Sequence, residues 1–461
     1  MKTNAVQSGG SMHSLEQLRR GELAGIQRLK LACGLTAFPK EIYTLADSLE
    51  ILDLSGNSLS SLPDDLPRLH KLRVIFCSDN RFTELPQVLG ACNELSMVGF
   101  KANRIQTLPA ASLPPKLRWL ILTDNQIEAL PSALGQCRYL QKLMLAGNRL
   151  RELPASLANC TRLELLRIAA NQLTALPNWL LNLPRLSWLA YAGNPLTETL
   201  EVQALNETPV NAIHWDCLTL REALGEGASG VIHLADYQTA SDERHEVAVK
   251  RFKGEVTSDG LPHCEMAACM AAGKHPNLIP VHGKLIGHPE ATPGLVMARI
   301  DPTCVNLAGP PSLESCTRDV YAPATRFTLE TALGIARGIA GAAQHLHQRG
   351  ILHGDLYGHN ILHGGQGQVV IGDFGAASFY SLADAMTGIA LERLEVRAFG
   401  CLLAELVERI DPVFLPEPIQ RQLSALVTAC LGEIPAERPR FADILQQLAG
   451  INPQATHRSL P

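Results

Sequence analysis

The sequence predicts an α/β solenoid of short repeats followed by a mixed α+β domain, and three observations carry that expectation. Asn57, Asn80, Asn103, Asn125, Asn148, Asn171 and Asn194 recur at steps of 22 or 23 residues. The recurrence then stops, and from Trp215 strand-like runs enclose a glycine-rich stretch, Gly225 to Gly230. Of 461 residues, 46% are hydrophobic and 18% charged, which is enough apolar material for two cores and argues against long disordered tails.

Around each Asn the pattern is L-x-x-L-x-L-x-x-N-x-L, as in Leu140, Leu143, Leu145, Asn148 and Leu150. Inward leucines on a short strand stack on their counterparts in the next repeat, and the Asn amide can bridge backbone groups at the turn. One copy cannot bury that face alone, so the copies must form an array, the leucine-rich-repeat signature. A degenerate first copy starts at Ile26, with Gly34 in place of Asn, giving eight repeats over 26–196. The Leu-Pro or Phe-Pro steps, from Phe38-Pro39 to Leu176-Pro177, resemble the intracellular class of these repeats in bacterial and plant proteins. Ser14 and Gln17 form a capping-box start, so residues 1–25 are expected to close one end with a short helix. Residues 197–212 lose the pattern and read as cap and linker.

The third and fifth positions of each strand should line the concave face. Val74, Phe76, Met97, Trp119, Ile121, Met144 and Trp188 make that face apolar. A contiguous apolar patch beyond roughly a few hundred Å² marks a contact, either with an external protein or with the chain's own second domain. Cys92, Cys137 and Cys160 stand where other repeats carry Leu69 and Leu183, so they are expected as small core residues in a reducing compartment. A net charge of -5, from 40 Lys+Arg and 45 Asp+Glu, offers no basic stripe for nucleic acid. The N-terminal stretch lacks the apolar core of a secretory signal, and no apolar run reaches the roughly 18 residues of a membrane span. A cytoplasmic location is expected.

In the second half, Leu224 to Val231 fits G-x-G-x-x-G-x-V between two strands. Glycines let the backbone approach phosphates and present N–H groups to them. Val247-Ala248-Val249-Lys250 follows where a third strand should run, and Glu265, in a helical stretch from His263 to Ala272, is the well-placed carboxylate for that ammonium. Glu255 and Asp259 are expected to face solvent. Further on, Asp355 with Asn360 five residues later, then Asp373-Phe374-Gly375, gather oxygen ligands: a base for a hydroxyl proton and two ligands for Mg²⁺.

These motifs, with Arg438-Pro439-Arg440-Phe441 near the end, resemble protein kinases. The resemblance covers 213–452, leaves 453–461 as a tail, and implies an α/β leucine-rich-repeat solenoid followed by a two-lobed α+β protein kinase-like fold. It implies ATP and Mg²⁺ as cofactors, Lys250, Glu265 and Asp355 as catalytic residues, and Asn360 and Asp373 as metal ligands. Gly225, Glu226, Gly227, Ala228, Ser229, Gly230, Val231, Ala248 and Lys250 would hold the nucleotide, with Met297 behind the adenine and Ala298 and Ile300 offering it backbone groups. Gly354 departs from the family, which usually has Arg there, and Tyr357 replaces a Lys. The segment between Asp373 and Glu395 is short; it contains the hydroxyls of Ser378, Tyr380, Ser381 and Thr387, and Glu392 is expected to meet Arg438. The implied activity is an ATP-dependent protein kinase, of Ser/Thr type, with the repeats as a protein-interaction or autoregulatory module. A pseudokinase scaffold and a small-molecule phosphotransferase resembling aminoglycoside or choline kinases are the alternatives.

Overall fold

A computed structural model describes residues 12–227, 229–239, 242–254 and 256–451. The first half is one parallel sheet of three-residue strands in sequence order: β1 (Arg28–Lys30), β2 (Ile51–Asp53), β3 (Val74–Phe76), β4 (Met97–Gly99), β5 (Trp119–Ile121), β6 (Lys142–Met144), β7 (Leu165–Arg167) and β8 (Trp188–Ala190). Their central residues, such as Leu52, Ile75, Leu120 and Leu143, stack register on register and are fully buried. Proline sets the start of the short 3-10 turns on the other side, as Pro131 does before Ser132–Gln136, because its fixed φ suits the turn and the first N–H has no partner to lose. Cys92, Cys137 and Cys160 lie buried at the ends of those turns as free thiols. The expected helix is α1 (Leu15–Arg19), with its capping box formed by Ser14 and Gln17.

The recurrent Asn binds the repeats together. Asn148 donates from Nδ2 to the carbonyls of Leu122 and Leu145, both at 2.9 Å, and its Oδ1 accepts the Ile127 N–H at 3.0 Å. Asn80, Asn103, Asn125, Asn171 and Asn194 repeat this arrangement one copy apart. Each therefore satisfies backbone groups of two repeats that would otherwise be buried unpaired.

After β8 the segment read as cap and linker forms α2 (Pro195–Glu207) and β9 (Asn211–His214). The remaining strands of the small lobe are β10 (Leu218–Glu226), β11 (Gly230–Gln238), β12 (Arg244–Phe252), β13 (Val281–Ile286) and β14 (Gly294–Ala298), in the order β10-β11-β12-β14-β13-β9. Helix α3 (Pro262–Ala272) lies between β12 and β13 in sequence. The large lobe is built from α4 (Leu329–His347), α5 (Ala385–Val407), α6 (Glu417–Cys430) and α7 (Phe441–Gly450), around Ile335, Ile339, Leu346, Phe399 and Phe441. No described helix is long and apolar enough to cross a membrane.

The strand register places the concave residues as the repeat pattern requires, yet they are not open to water. Leu313 and Cys316, from the segment between β14 and α4, pack on Val74, Met97 and Trp119, with Phe76, Ile121 and Met144 alongside. Val74, Met97 and Trp119 are buried in this cluster, and Trp188 is buried separately against the large lobe. Lys142 is also buried, its ammonium 4.4 Å from the Trp119 ring centroid, and that burial lowers its pKa. Arg118 donates to the Glu314 carbonyl at 3.0 Å, and Thr317 bonds the Glu164 carboxylate.

Removing one ladder amide strands three buried backbone groups, each worth about 1–3 kcal/mol when left unsatisfied and partly recovered by relaxation. Asn148→Ala should lower the unfolding free energy by about 2–4 kcal/mol in urea denaturation followed by circular dichroism. Asn57→Ala, at the less buried end of the ladder, should cost measurably less.

Candidate active site

The nucleotide side is assembled from small-lobe strands. β10 and β11 pair up to Glu226 and Val231, and the Gly227 N–H donates to the Gly230 carbonyl at 2.9 Å, closing the glycine turn. A Cβ on Gly230 would lie 2.4 Å from the Arg251 carbonyl oxygen, so only glycine fits beside β12. Gly225 lies opposite Ile232, and the Ser229 carbonyl accepts the Lys253 N–H at 2.9 Å. Ala228 lies outside the described residues. Lys250, on β12, forms an ion pair with Glu265 of α3. Burial works against the Lys250 ammonium, but Glu265 and Asp373 outweigh it and raise its pKa, so it stays charged.

One cavity is lined by Ile232, Lys250, Glu265, Met297, Asp373 and Phe374. Ala248 packs with Met297 at its back. The Ala298 N–H is already engaged with the Pro280 carbonyl at 2.9 Å, and Ile300 is half-buried just beyond. Asp373 holds a left-handed φ of 56° and accepts the Gly375 N–H at 3.1 Å, a strained conformation of the kind found at functional sites. The donors fit the implied cofactors. An ammonium deep in the cavity suits phosphate oxygens, and the Asp373 carboxylate with the Asn360 amide are hard oxygen ligands suited to Mg²⁺.

On the acceptor side, Asn360 donates from Nδ2 to Asp355 Oδ2 at 2.6 Å and to the Asp355 carbonyl at 3.0 Å. Asp319 fixes the intervening turn, bonding His359 Nδ1 at 2.7 Å and accepting the His359 N–H at 3.2 Å. The other Asp355 oxygen is taken by a residue from the repeats. Arg167, at the end of β7 and 1% exposed, pairs through Nη2 with Asp355 Oδ1, through Nε with Asp259 Oδ1 at 2.7 Å, and donates from Nη1 to the Gly354 carbonyl at 3.0 Å. Burial would lower the Arg167 pKa, but Asp355 and Asp259 raise it above its ordinary value. Burial also pushes the Asp355 carboxyl up, with Arg167 opposing.

Both departures at this loop have a packing reason. Gly354 has φ 73°, and a Cβ there would lie 2.5 Å from the Leu189 carbonyl of β8 and 2.7 Å from that of Ala376. An Arg could not occupy the position with β8 in place. Tyr357 stacks on Trp188, with ring centroids 4.2 Å apart at 8°, and Trp188 Nε1 donates to the Leu356 carbonyl at 3.2 Å.

Three expectations are corrected. Asp259 is not a free surface residue: its side chain stays part-exposed, at 32%, but binds Arg167, because the solenoid brings a guanidinium to it. Glu392 meets Arg440 at 2.7 Å and the Phe441 N–H at 2.9 Å, whereas Arg438 donates to the carbonyls of Gly432, Arg393 and Pro184, which leave no room for a carboxylate partner. Ser378 and Tyr380 are buried rather than available: Ser378 Oγ accepts the Tyr191 N–H at 2.9 Å, and the Tyr380 hydroxyl bonds the His347 carbonyl at 2.9 Å. Glu255 lies outside the described residues. Arg167 occupies the fifth, concave position of its repeat strand, and nothing in the repeat pattern itself points to a contact with Asp355. The signal that could have found it was the absence of Arg at Gly354.

Residues 218–397 match the family model for protein tyrosine and serine/threonine kinases, and 48–69 and 138–196 match leucine-rich-repeat models. An activated Cdc42 kinase-like protein of Drosophila melanogaster is 24% identical over 283 residues, covering 52% of this chain and 20% of its own length. A LIM domain-containing serine/threonine-protein kinase of Dictyostelium discoideum is 28% identical over 179 residues, 32% of this chain and 27% of its own. A serine/threonine/tyrosine-protein kinase of Arabidopsis thaliana is 26% identical over 156 residues, 26% of this chain and 40% of its own. The matched region thus spans 20% to 40% of the length of these relatives. Motif, fold and comparison agree: the chain carries leucine-rich repeats followed by a protein kinase domain.

Proposed function

We propose that the chain is a cytoplasmic, ATP- and Mg²⁺-dependent protein kinase of Ser/Thr type, with repeats over 26–196 engaging its own kinase domain over 213–452. The observation that carries the reading is the gathering of Lys250, Glu265 and Asp373 around one cavity, with the bonded pair Asp355 and Asn360 as the acceptor side. In this reading Lys250, steadied by Glu265, holds phosphate oxygens, and the glycine turn from Gly225 to Val231 covers them. Asp355 takes the proton of the acceptor hydroxyl. Asn360 and Asp373 hold Mg²⁺, which when bound neutralises charge developing on the transferred phosphoryl group.

The repeats act on this chemistry as a restraint. Arg167 on Oδ1 and Asn360 on Oδ2 each take one acceptor direction of the Asp355 carboxylate, and the paired guanidinium lowers its basicity toward an acceptor hydroxyl. Trp188 and the Leu189 carbonyl cover the same loop. Transfer to a protein hydroxyl therefore requires the repeats to withdraw.

Two measurements test this. Purified chain with labelled ATP and Mg²⁺ should label itself or a generic protein substrate, and Asp373→Ala should lose that transfer by about 10³-fold or more. Label confined to a small metabolite would favour the small-molecule alternative, and nucleotide binding without any transfer would favour the scaffold. Breaking a buried ion pair costs about 3–5 kcal/mol, so removing the guanidinium should shift the population strongly toward the open state. Arg167→Ala should therefore raise kcat/KM by about tenfold or more. A fall in kcat/KM would make Arg167 part of the working site rather than its restraint.

A further inference from the structure

Away from the cleft, three metal-binding side chains converge where the cap of the repeats meets the small lobe. Glu201 of α2 is 4% exposed, and its Oε1 accepts the Gly193 N–H at 2.8 Å. Among the described residues it has no ion-pair partner, although burying a carboxylate without a cation is costly. Beside it stands the buried thiol of Cys264, in the first turn of α3, raised in pKa by burial and then by the Glu201 carboxylate to which it hydrogen-bonds. His263 completes the group from the solvent side, exposed and without a hydrogen bond among the described residues. The ligand atoms of all three lie within 4.8 Å of one another.

We propose that Glu201, His263 and Cys264 bind one divalent transition-metal ion of the zinc class. Metal–ligand distances of about 2.0–2.3 Å put ligand atoms of a tetrahedral site roughly 3.2–3.8 Å apart. The side chains must then close by about 1 Å, and the exposed imidazole is the one free to move. A sulfur, a nitrogen and an oxygen donor select zinc-like ions over Mg²⁺ or Ca²⁺, and the open side at His263 leaves a fourth position for water. On binding, the Cys264 S–H bond breaks, its proton goes to solvent, and the metal–thiolate bond forms with no change of oxidation state. The ion supplies the positive charge that buried Glu201 lacks. It also ties α2, the cap of the repeats, to the first turn of α3, one residue before Glu265, so occupancy stiffens the helix that positions the Lys250 partner.

Cobalt(II) is a suitable probe, because a thiolate ligand gives it a charge-transfer absorption that oxygen and nitrogen ligands do not. Full-length chain stripped with a chelator should bind one equivalent of Co²⁺ with that absorption, and Zn²⁺ should displace it. His263→Ala alters only an exposed side chain and should weaken Co²⁺ binding by about tenfold or more. Cys264→Ser should abolish the thiolate band. Absence of the band in the unsubstituted chain, its persistence in Cys264→Ser, which would assign it to another cysteine such as exposed Cys33 or Cys217, or equal affinity in His263→Ala would each overturn the proposal. None of these readouts depends on phosphate transfer.

Discussion

The arrangement of the whole chain depends on one buried guanidinium. Arg167 leaves the last residue of a solenoid strand and ends between two carboxylates and a carbonyl of the kinase half. Arginine suits that task better than lysine because its planar fork directs several donors at fixed angles and it stays ionised when desolvated. Both carboxylates were needed: a single ion pair buried this deeply would barely repay its desolvation. Asp259, ahead of α3, and Asp355, in the catalytic loop, are thus tied to one another through a residue of neither lobe.

Around that contact the sequence of the kinase half has been shaped to its neighbour. Gly354 lets the β8 backbone approach, and Tyr357 offers a ring to Trp188 where a charged side chain would have been buried unpaired. Leu313 and Cys316 fill the apolar concavity formed by Val74, Met97 and Trp119. Residues that look like losses against the family pattern are gains of complementarity to the repeats.

This explains what could be read from the sequence and what could not. The solenoid was legible because its order is local and periodic: each Asn bonds to groups a fixed number of residues away, so the spacing is the structure. Both sides of the cleft were legible because Lys250, Asp355, Asn360 and Asp373 sit in short motifs whose chemistry demands their spacing. Arg167 meeting Asp355 spans 188 residues, and no periodicity encodes such a contact. Glu392 was misassigned for a similar reason. Two arginines two residues apart compete for it, and only the carbonyls gathered around Arg438 decide that Arg440 is the partner.

The two sides of the cleft differ, and the difference bears on where the proposed restraint would act. Lys250 and Glu265 are already paired, so the nucleotide side needs no rearrangement of α3 before it can hold phosphate. Asp355, by contrast, has both oxygens engaged. In the proposed reading the repeats would thus act on the acceptor side, through Asp355 as base, and would leave the Lys250–Glu265 pair assembled. Because Arg167 grips Asp259 as well as Asp355, withdrawal of the solenoid would free the catalytic loop and the segment leading into α3 in one movement.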